Sequence, residues 1–202
     1  VNRSDIARHV SRETLAVFDG IELLVRKWTP KINIVSRKTL ETFWQHHISD
    51  GLALVQQIGS ARSWVDMGSG GGFPGLVVAA LVGSETSVTL IESDARKCAF
   101  LKTARRELAL NCEIVHGRIE DVTPRHSDIV SARALAALPA LLSLGSRHGH
   151  GETTYLYPKG VNWAEEEMEA RRDWDYELDV IERTTDSGSV ILKITKLRKV
   201  RA

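Results

Sequence analysis

Asp66, the glycines Gly68, Gly70, Gly71 and Gly72, and Glu92 are the residues of this chain whose types and spacing can do chemistry. They centre on the run Val65 to Gly75, VDMGSGGGFPG, in which a carboxylate is followed at once by a glycine-dense turn. Glycines permit backbone angles, and a close ligand approach, that a side chain would forbid. Pro74 suits the first turn of a following helix. In open α/β sheets ligands sit at the carboxyl ends of the strands, and an acidic residue about 20 positions past the glycine turn can hydrogen-bond a ribose. Glu92, ending the apolar run Val88 to Ile91, holds that place. The chemistry indicated is the binding of a nucleotide-like ligand.

Three ligands use such a pocket: a nucleoside triphosphate, a dinucleotide or S-adenosylmethionine. A P-loop needs a lysine and a hydroxyl after its last glycine, and Phe73-Pro74-Gly75 supplies neither. The dinucleotide fingerprint places its third glycine where Phe73 stands, and holds a pyrophosphate at the helix N-terminus. Asp66 would set negative charge beside that pyrophosphate. S-adenosylmethionine carries an ammonium, a sulfonium and a ribose but no phosphate, so acidic groups favour it. Charge therefore points to the methyl donor ahead of a dinucleotide, with a ligand-free glycine connection as the remaining alternative.

The elements that must position these residues follow from periodicity. Ser63 to Met67 reads as a buried parallel strand and Leu76 to Leu81 as a packed helix. A helix from about Ala95 to Leu110, strands at Glu113 to His116 and Asp128 to Ser131, a helix over Ala134 to Leu144 and a strand at Tyr155-Leu156 continue the alternation. Leu178 to Ile181 and Val190 to Ile194 flank Asp186-Ser187-Gly188 as an antiparallel pair with a turn. Ahead of all this, Val17, Phe18, Ile21, Leu24, Val25 and Trp28 recur at helical spacing, as do Leu40, Phe43, Trp44, Ile48, Leu52 and Val55. Pro30 and the Asn33 to Ser36 stretch are expected to separate the two helical groups. The expectation is an open α/β fold, mostly parallel with an antiparallel edge. Residues 1–60 form a helical region packed on a main domain of residues 61–202.

At 202 residues and 43% hydrophobic content the chain can bury one good core. No long apolar segment and no secretory pattern is present, which predicts a soluble, cytoplasmic protein without membrane attachment. Cys98 and Cys112 are too few for a metal knuckle or disulfide framework and read as core thiols. His148 and His150 lack the carboxylate or thiol partners of a metal set, so no metal is expected. A net charge of +1 neither demands nor excludes nucleic acid. Lys193, Lys196, Arg198, Lys199 and Arg201 form an acid-free basic tail, read as a solvated end or a phosphate contact, whereas Glu165 to Glu182 is mostly acidic. Trp163 and Trp174 are expected to be partly exposed.

Several segments together resemble the RsmG (GidB) family, small ribosomal subunit RNA methyltransferase G. The glycine turn matches its Gly-Ser/Thr-Gly-x-Gly-Phe/Leu-Pro-Gly. Trp28 through Asn33 with Val35-Ser36 resembles Trp-Asn-x-x-x-Asn-Leu-Thr/Val-Ser, and His47-Ile48-Ser49-Asp50 resembles His-Ile-x-Asp-Ser. Glu92 with Lys97 and Phe100-Leu101, Gly117-Arg118-Ile119-Glu120, Arg133-Ala134 and Lys159-Gly160 follow in the family's order. Thr29 stands where the family usually has Asn, Gly51 where it usually has Ser, and Ala132 is inserted before Arg133.

The resemblance implies a Rossmann-like class I S-adenosylmethionine-dependent methyltransferase with a seven-stranded sheet and helices on both faces. It implies methyl transfer to N7 of a guanine in 16S ribosomal RNA, position 527 in the usual bacterial numbering, within the 530 loop. Such a nitrogen has an in-plane lone pair and no proton, so no general base is expected and orientation should suffice. From their positions, Gly68 and Gly70 are expected to approach the methionine portion of the donor, Asp66 to orient its ammonium directly or through water, and Phe73 to line the pocket. Glu92 is expected at the ribose. By resemblance Ile119 and Glu120 hold the adenine, and Arg133 lies in the cofactor site, facing the incoming acceptor. Arg96, Lys97, Arg133 and Lys159 are the candidate RNA contacts, and His46 and His47 either line the entrance or cap a helix contact. The partner is 16S rRNA or the small ribosomal subunit, met by a monomer. A noncatalytic RNA-binding or ribosome-assembly module and a small-molecule methyltransferase are the competing functions.

Overall fold

The computed structural model describes residues 1–183 and 188–200. Strands β1 (Ser63–Met67), β2 (Ser87–Glu92), β3 (Cys112–His116), β4 (Ile129–Ser131), β5 (Thr154–Lys159), β6 (Trp174–Glu182) and β7 (Val190–Lys199) make one sheet, ordered β3-β2-β1-β4-β5-β7-β6. The first five are parallel, and β7 enters antiparallel between β5 and β6. The strand order reverses beside β1, so the carboxyl ends of β1, β2 and β4 surround the crevice where such sheets take ligands.

Side chains alternate between the two faces of the central strands. Trp64, Leu90, Ile129 and Leu156 pack beneath α2 (Arg12–Ile32), α4 (Ser49–Val55), α5 (Gly75–Leu81) and α6 (Ala95–Glu107), with Phe18, Leu54, Leu76 and Phe100 filling that layer. Val65, Met67, Val130 and Tyr157 face α7 (Leu138–His148) and α8 (Trp163–Ala170). Helices thus cover both faces, and those of residues 1–60 share one apolar layer with the sheet. Packing is tight where α4 crosses α5: a Cβ on Gly51 would overlap Val77 Cγ1, so the serine usual in the resembled family does not fit this backbone unchanged.

Four expectations need correction. Pro30 does not end the helix; α2 runs through it to Ile32 and stops at Asn33, which turns left-handed (φ 51°) and donates its N–H to Thr29 O. In the last turn a proline forfeits little beyond one intrahelical bond. The helix expected from Ala134 begins at Leu138, because Ala134 itself is left-handed (φ 52°) and Pro139 fits only the first turn. The basic tail keeps the solvated side chains expected of it, with those of Lys196 and Arg198 72% and 78% exposed, but it is an ordered strand and not a free end. It is β7, where Lys196 pairs with Glu177 at 2.7 Å, Arg198 with Asp175 at 2.6 Å, and Lys193 lies opposite Asp179. Trp174 is buried in the second layer rather than partly exposed. Arg201, and Asp186 and Ser187 of the expected turn, lie outside the described residues. Both cysteines are buried and free.

Candidate functional site

The glycine turn is fixed by its own amides and by two carboxylates. Gly68, Gly70 and Gly72 all have positive φ, at 64°, 55° and 86°. A side chain on Gly70 would meet nothing nearer than Gly68 O at 3.7 Å and would stand in the space a ligand needs. Glu92, at the end of β2, reaches back so that Oε2 accepts from Gly70 N at 2.7 Å while Oε1 accepts from Asp94 N at 2.7 Å. Asp66 lies on the other side of the turn, wholly buried. Its Oδ2 accepts from Gly75 N, the first residue of α5, at 3.2 Å, and its Oδ1 from Ser131 Oγ at 2.8 Å. Burial pushes its carboxyl up to about 6, against the lowering effect of the Ser131 hydroxyl and the Gly75 amide.

These bonds decide between ligands. A pyrophosphate needs the turn's amides and the open N-terminus of the following helix. Here the Gly70 amide already serves Glu92, and the first amide of α5 is capped from inside by Asp66. A phosphate would find both amides already taken by carboxylates. A ligand with ribose hydroxyls and positive charge meets acceptors instead.

Above the turn is a cavity of about 510 Å³, lined by Gly68, Gly70 and Phe73, by Ile91 and Glu92, and by Ile119 and Glu120 of the β3–β4 connection. Its size is that of a small-molecule site. S-adenosylmethionine fits: the open Gly70 cradle admits backbone approach, Glu92 supplies hydroxyl acceptors, and buried Ile119 offers an apolar wall beside the exposed Glu120.

A second cavity of about 620 Å³ adjoins the first and shares Ile34, Val35, Arg133 and Ala134 with it. Its wall is built from distant parts of the chain. A π-helical turn, Trp44–Ile48, precedes α4 and brings in His47, while Asp50 follows in α4. Such turns recur at functional sites. Arg133 Nη1 donates to Asp50 Oδ2 at 2.9 Å and to His46 O at 2.8 Å, and its guanidinium carbon lies 5.8 Å from the Phe73 ring centre. Asp50 Oδ1 accepts from Arg183 Nη2, beyond the end of β6. Burial raises the Asp50 carboxyl above its ordinary value, and the two guanidiniums oppose that rise.

Arg133 Nη2 lies 2.7 Å from His47 Nδ1. A guanidinium only donates, so Nδ1 accepts and the ring proton sits on Nε2. Burial, reinforced by the charges of Arg133 and His46, pushes His47 down to about 3, which keeps it neutral. Its ring packs on Phe73 at 4.4 Å between centres.

The structure thus brings Gly68, Gly70, Phe73, Glu92, Ile119, Glu120 and Arg133 to one cavity, with Lys97 on its wall. Asp66 is the exception among the donor-site candidates: it lies under the turn, its oxygens taken up by Gly75 and Ser131, and it is not part of the lining. Arg96 is exposed and paired with Asp94 at 3.1 Å, away from both cavities. Lys159 does reach the second cavity, where Glu166 holds it at 2.5 Å and Ala136 O accepts from it at 3.1 Å. Sequence reasoning assigned no site role to Asp50 or Arg183. Asp50 lay inside a quoted motif as a fourth letter, and nothing local marks Arg183.

Among the described residues, no helix is long and apolar enough to cross a membrane. The fold resembles solved structures of an MtNAS mutant in complex with S-adenosylmethionine (TM-score 0.60, 12% identity, covering 92% of this chain and 72% of that one) and of a SAM-dependent methyltransferase from Aquifex aeolicus (TM-score 0.57, 14% identity, covering 77% and 92%). At the level of sequence the likeness is much closer. Over 201 residues the chain is 42% identical to ribosomal RNA small subunit methyltransferase G of Ruegeria sp. (strain TM1040), covering 98% of each. It is 43% identical over 193 residues to the protein of that name from Paracoccus denitrificans (strain Pd 1222), covering 94% of this chain and 98% of that one. The family model for rRNA small subunit methyltransferase G matches residues 20–188, a span that holds the glycine turn, Glu92, Arg133 and the whole Asp50 cluster. With cofactor crevice and adjoining cavity both inside that match, the chain belongs to the rRNA small subunit methyltransferase G family.

Proposed function

We infer that this chain transfers a methyl group from S-adenosylmethionine to N7 of a guanine in 16S ribosomal RNA, the base at position 527 in the 530 loop. The observation that carries the reading is the pairing of two cavities across the shared wall of Ile34, Val35, Arg133 and Ala134: one suits the donor, the other lies next to it for a base.

S-adenosylmethionine, when bound, supplies an electrophilic methyl on a sulfonium. Glu92 holds ribose hydroxyls, Ile119 and Glu120 hold adenine, and Phe73 closes the cavity toward the second one. Guanine N7 offers a lone pair and no proton, so the side chains around the acceptor have to orient the base and exclude water rather than remove a proton. His47 agrees with that requirement, since its low pKa keeps it from acting as a base near neutral pH. Lys97 and Arg133 face the incoming RNA. The chain works as a monomer in the cytoplasm, without metal.

Labelled donor supplied with naked 16S RNA, assembled 30S particles and free guanosine tests the reading, with the modified base then mapped. Label at N7 of that one guanine is the expected result. Transfer to a protein or small molecule but to neither RNA form would overturn it, and no donor binding at millimolar concentration would leave only a noncatalytic RNA-binding module.

A further inference from the structure

The segment that follows β4 forms part of the wall between the two cavities. Arg133 and Ala134 line both of them, and Leu135 and Ala136 line the donor side. Leu135 lies so close to the donor turn that a Cβ on Gly68 would overlap its Cδ1. The segment's own sequence does little to fix its shape. Ala134 is left-handed (φ 52°), a conformation that alanine rarely adopts and that persists where its surroundings hold it. Ala137, before the first turn of α7, has no side-chain oxygen to cap that helix. The hold comes from β5 and α8 instead. Lys159 Nζ donates to Ala136 O at 3.1 Å, and Glu166 Oε2 accepts from Leu138 N, the first residue of α7, at 2.7 Å. The same Oε2 lies 2.5 Å from Lys159 Nζ, and the lysine side chain is only 10% exposed. One ion pair thus grips the segment at two backbone atoms, while Arg133 anchors its start on Asp50.

We propose that Lys159 and Glu166 are positioning residues for methyl transfer, holding the wall that aligns acceptor with donor, and that Lys159 serves this wall rather than an RNA phosphate. The proposal rests on the RNA methyltransferase reading above. A phosphate-binding lysine works as a flexible, hydrated point charge. Lys159 is largely buried, its charge is matched by Glu166, and it donates to a carbonyl of another element. Transfer requires the methyl carbon and the attacking nitrogen to be held about 3–3.5 Å apart, and a misplacement of about 1 Å caused from outside the reacting groups can cost on the order of a hundredfold in rate. Because Leu135 packs on the Gly68 turn, a loosened wall also disturbs the donor cavity before any RNA arrives.

The test uses the full chain, 30S particles lacking the modification, and the variants Lys159→Met and Glu166→Gln. Three quantities are read for each: S-adenosylmethionine affinity without RNA, kcat at saturating donor and RNA, and the slope of log affinity for RNA against log salt. Lys159→Met keeps an unbranched stem but bonds neither Ala136 nor Glu166. It should weaken donor binding by about threefold or more and lower kcat by about tenfold or more, with the salt slope at its wild-type value. Glu166→Gln leaves an acceptor for Leu138 N, so it should show the same fall in donor affinity and kcat at smaller size. A lysine on phosphate predicts instead a slope flatter by about one for Lys159→Met, with donor affinity unchanged, and that result overturns the proposal. So does a lower melting temperature with donor affinity and kcat both at wild-type values, the behaviour of an ion pair that only stabilises the fold. If Lys159→Met fails to fold, Glu166→Gln decides by donor affinity and kcat. Wild-type protein that binds no S-adenosylmethionine, or transfers no methyl to 16S RNA, removes the underlying reading, whichever way the variants behave.

Discussion

Replacing Asp66 by asparagine should make the protein more stable at high pH, although it removes a carboxylate that three elements share. The folded-state pKa is about 6 against an ordinary 3.8, because the side chain is wholly buried and its bonds to Ser131 and Gly75 only partly compensate. Between those values the folded state binds more protons than the unfolded one, so stability falls as pH rises through the window. Ionised Asp66 is thus a cost, fully present above pH 6 and relieved as pH drops toward 3.8. About two units at roughly 1.4 kcal/mol each put the whole cost near 3 kcal/mol. Of this, on the order of 1 kcal/mol should be visible between pH 8 and pH 5. Asparagine resembles the protonated acid: its oxygen can accept from Gly75 N, and its amide can donate to Ser131 Oγ. Urea denaturation of both proteins from pH 5 to 8 measures the difference, and other titrating groups cancel in the comparison. The Asp66→Asn advantage should grow by on the order of 1 kcal/mol as pH rises. A difference that is flat with pH, or that shrinks, would refute the argument that burial dominates this carboxyl.

Three other perturbations probe the rest of the molecule. Glu92→Gln should weaken S-adenosylmethionine binding at least tenfold by calorimetry, since hydrogen bonds to a charged group are worth about 1.5–3 kcal/mol; unchanged affinity would end the ribose assignment. Gly51→Ser should cost about 1–3 kcal/mol by overpacking Val77, and Val77→Ala in the same chain should recover part of it; additive effects in that double-mutant cycle would contradict the close approach of α4 to α5. Removing the cross-strand pairs with Lys196→Ala and Arg198→Ala should leave the salt slope of RNA binding at its wild-type value, whereas a flatter slope would return β7 to the role of a phosphate arm.

The strands and the donor crevice were legible because their signals are local. Alternating apolar runs, a glycine turn and an acid one strand later are all readable within some thirty residues of each other. Asp66 was misplaced for a physical reason: β1 is buried on both faces, so alternation does not say which face reaches solvent, and a carboxylate there can as well cap α5 as meet a ligand. Ala134 hides in the same way. Composition favours helix across Arg133 to Leu138, but a left-handed residue cannot belong to it, and only the packing of the crevice selects that conformation. The exposure of the basic tail is legible along the chain, whereas its ion pairs are not, because they form between strands. The acidic run Glu165 to Glu182 and the basic run after Val190 were both noted, and two segments of opposite charge joined by a turn predict a paired hairpin. Arg183 carries no such signal: its meeting with Asp50 joins positions 133 apart, set by the strand order alone.

That long-range meeting helps to build a second cavity onto a common cofactor fold. The donor cavity is lined chiefly by the end of β2 and the loops after β1, β2, β3 and β4, elements any fold of this class must have. Besides the end of β5 and the residues leading into α8, from Pro158 to Asn162 with Glu166, the second cavity takes one wall from the N-terminal helical region, one from the segment after β4 and one from Arg183 and Ser189 at the facing ends of β6 and β7. Asp50 is where the three join. Its cluster is a poor source of stability, because the desolvation of a carboxylate and two guanidiniums consumes most of what their attraction returns. Apolar side chains of the same volume would hold the three elements together as well or better, yet would leave no cation at the cavity wall and nothing to fix its direction. What the cluster supplies is therefore orientation. Phe73 of the donor turn packs on His47, His47 accepts from Arg133, and Arg133 and Arg183 share one carboxylate, so the wall of the second cavity is tied directly to the donor turn.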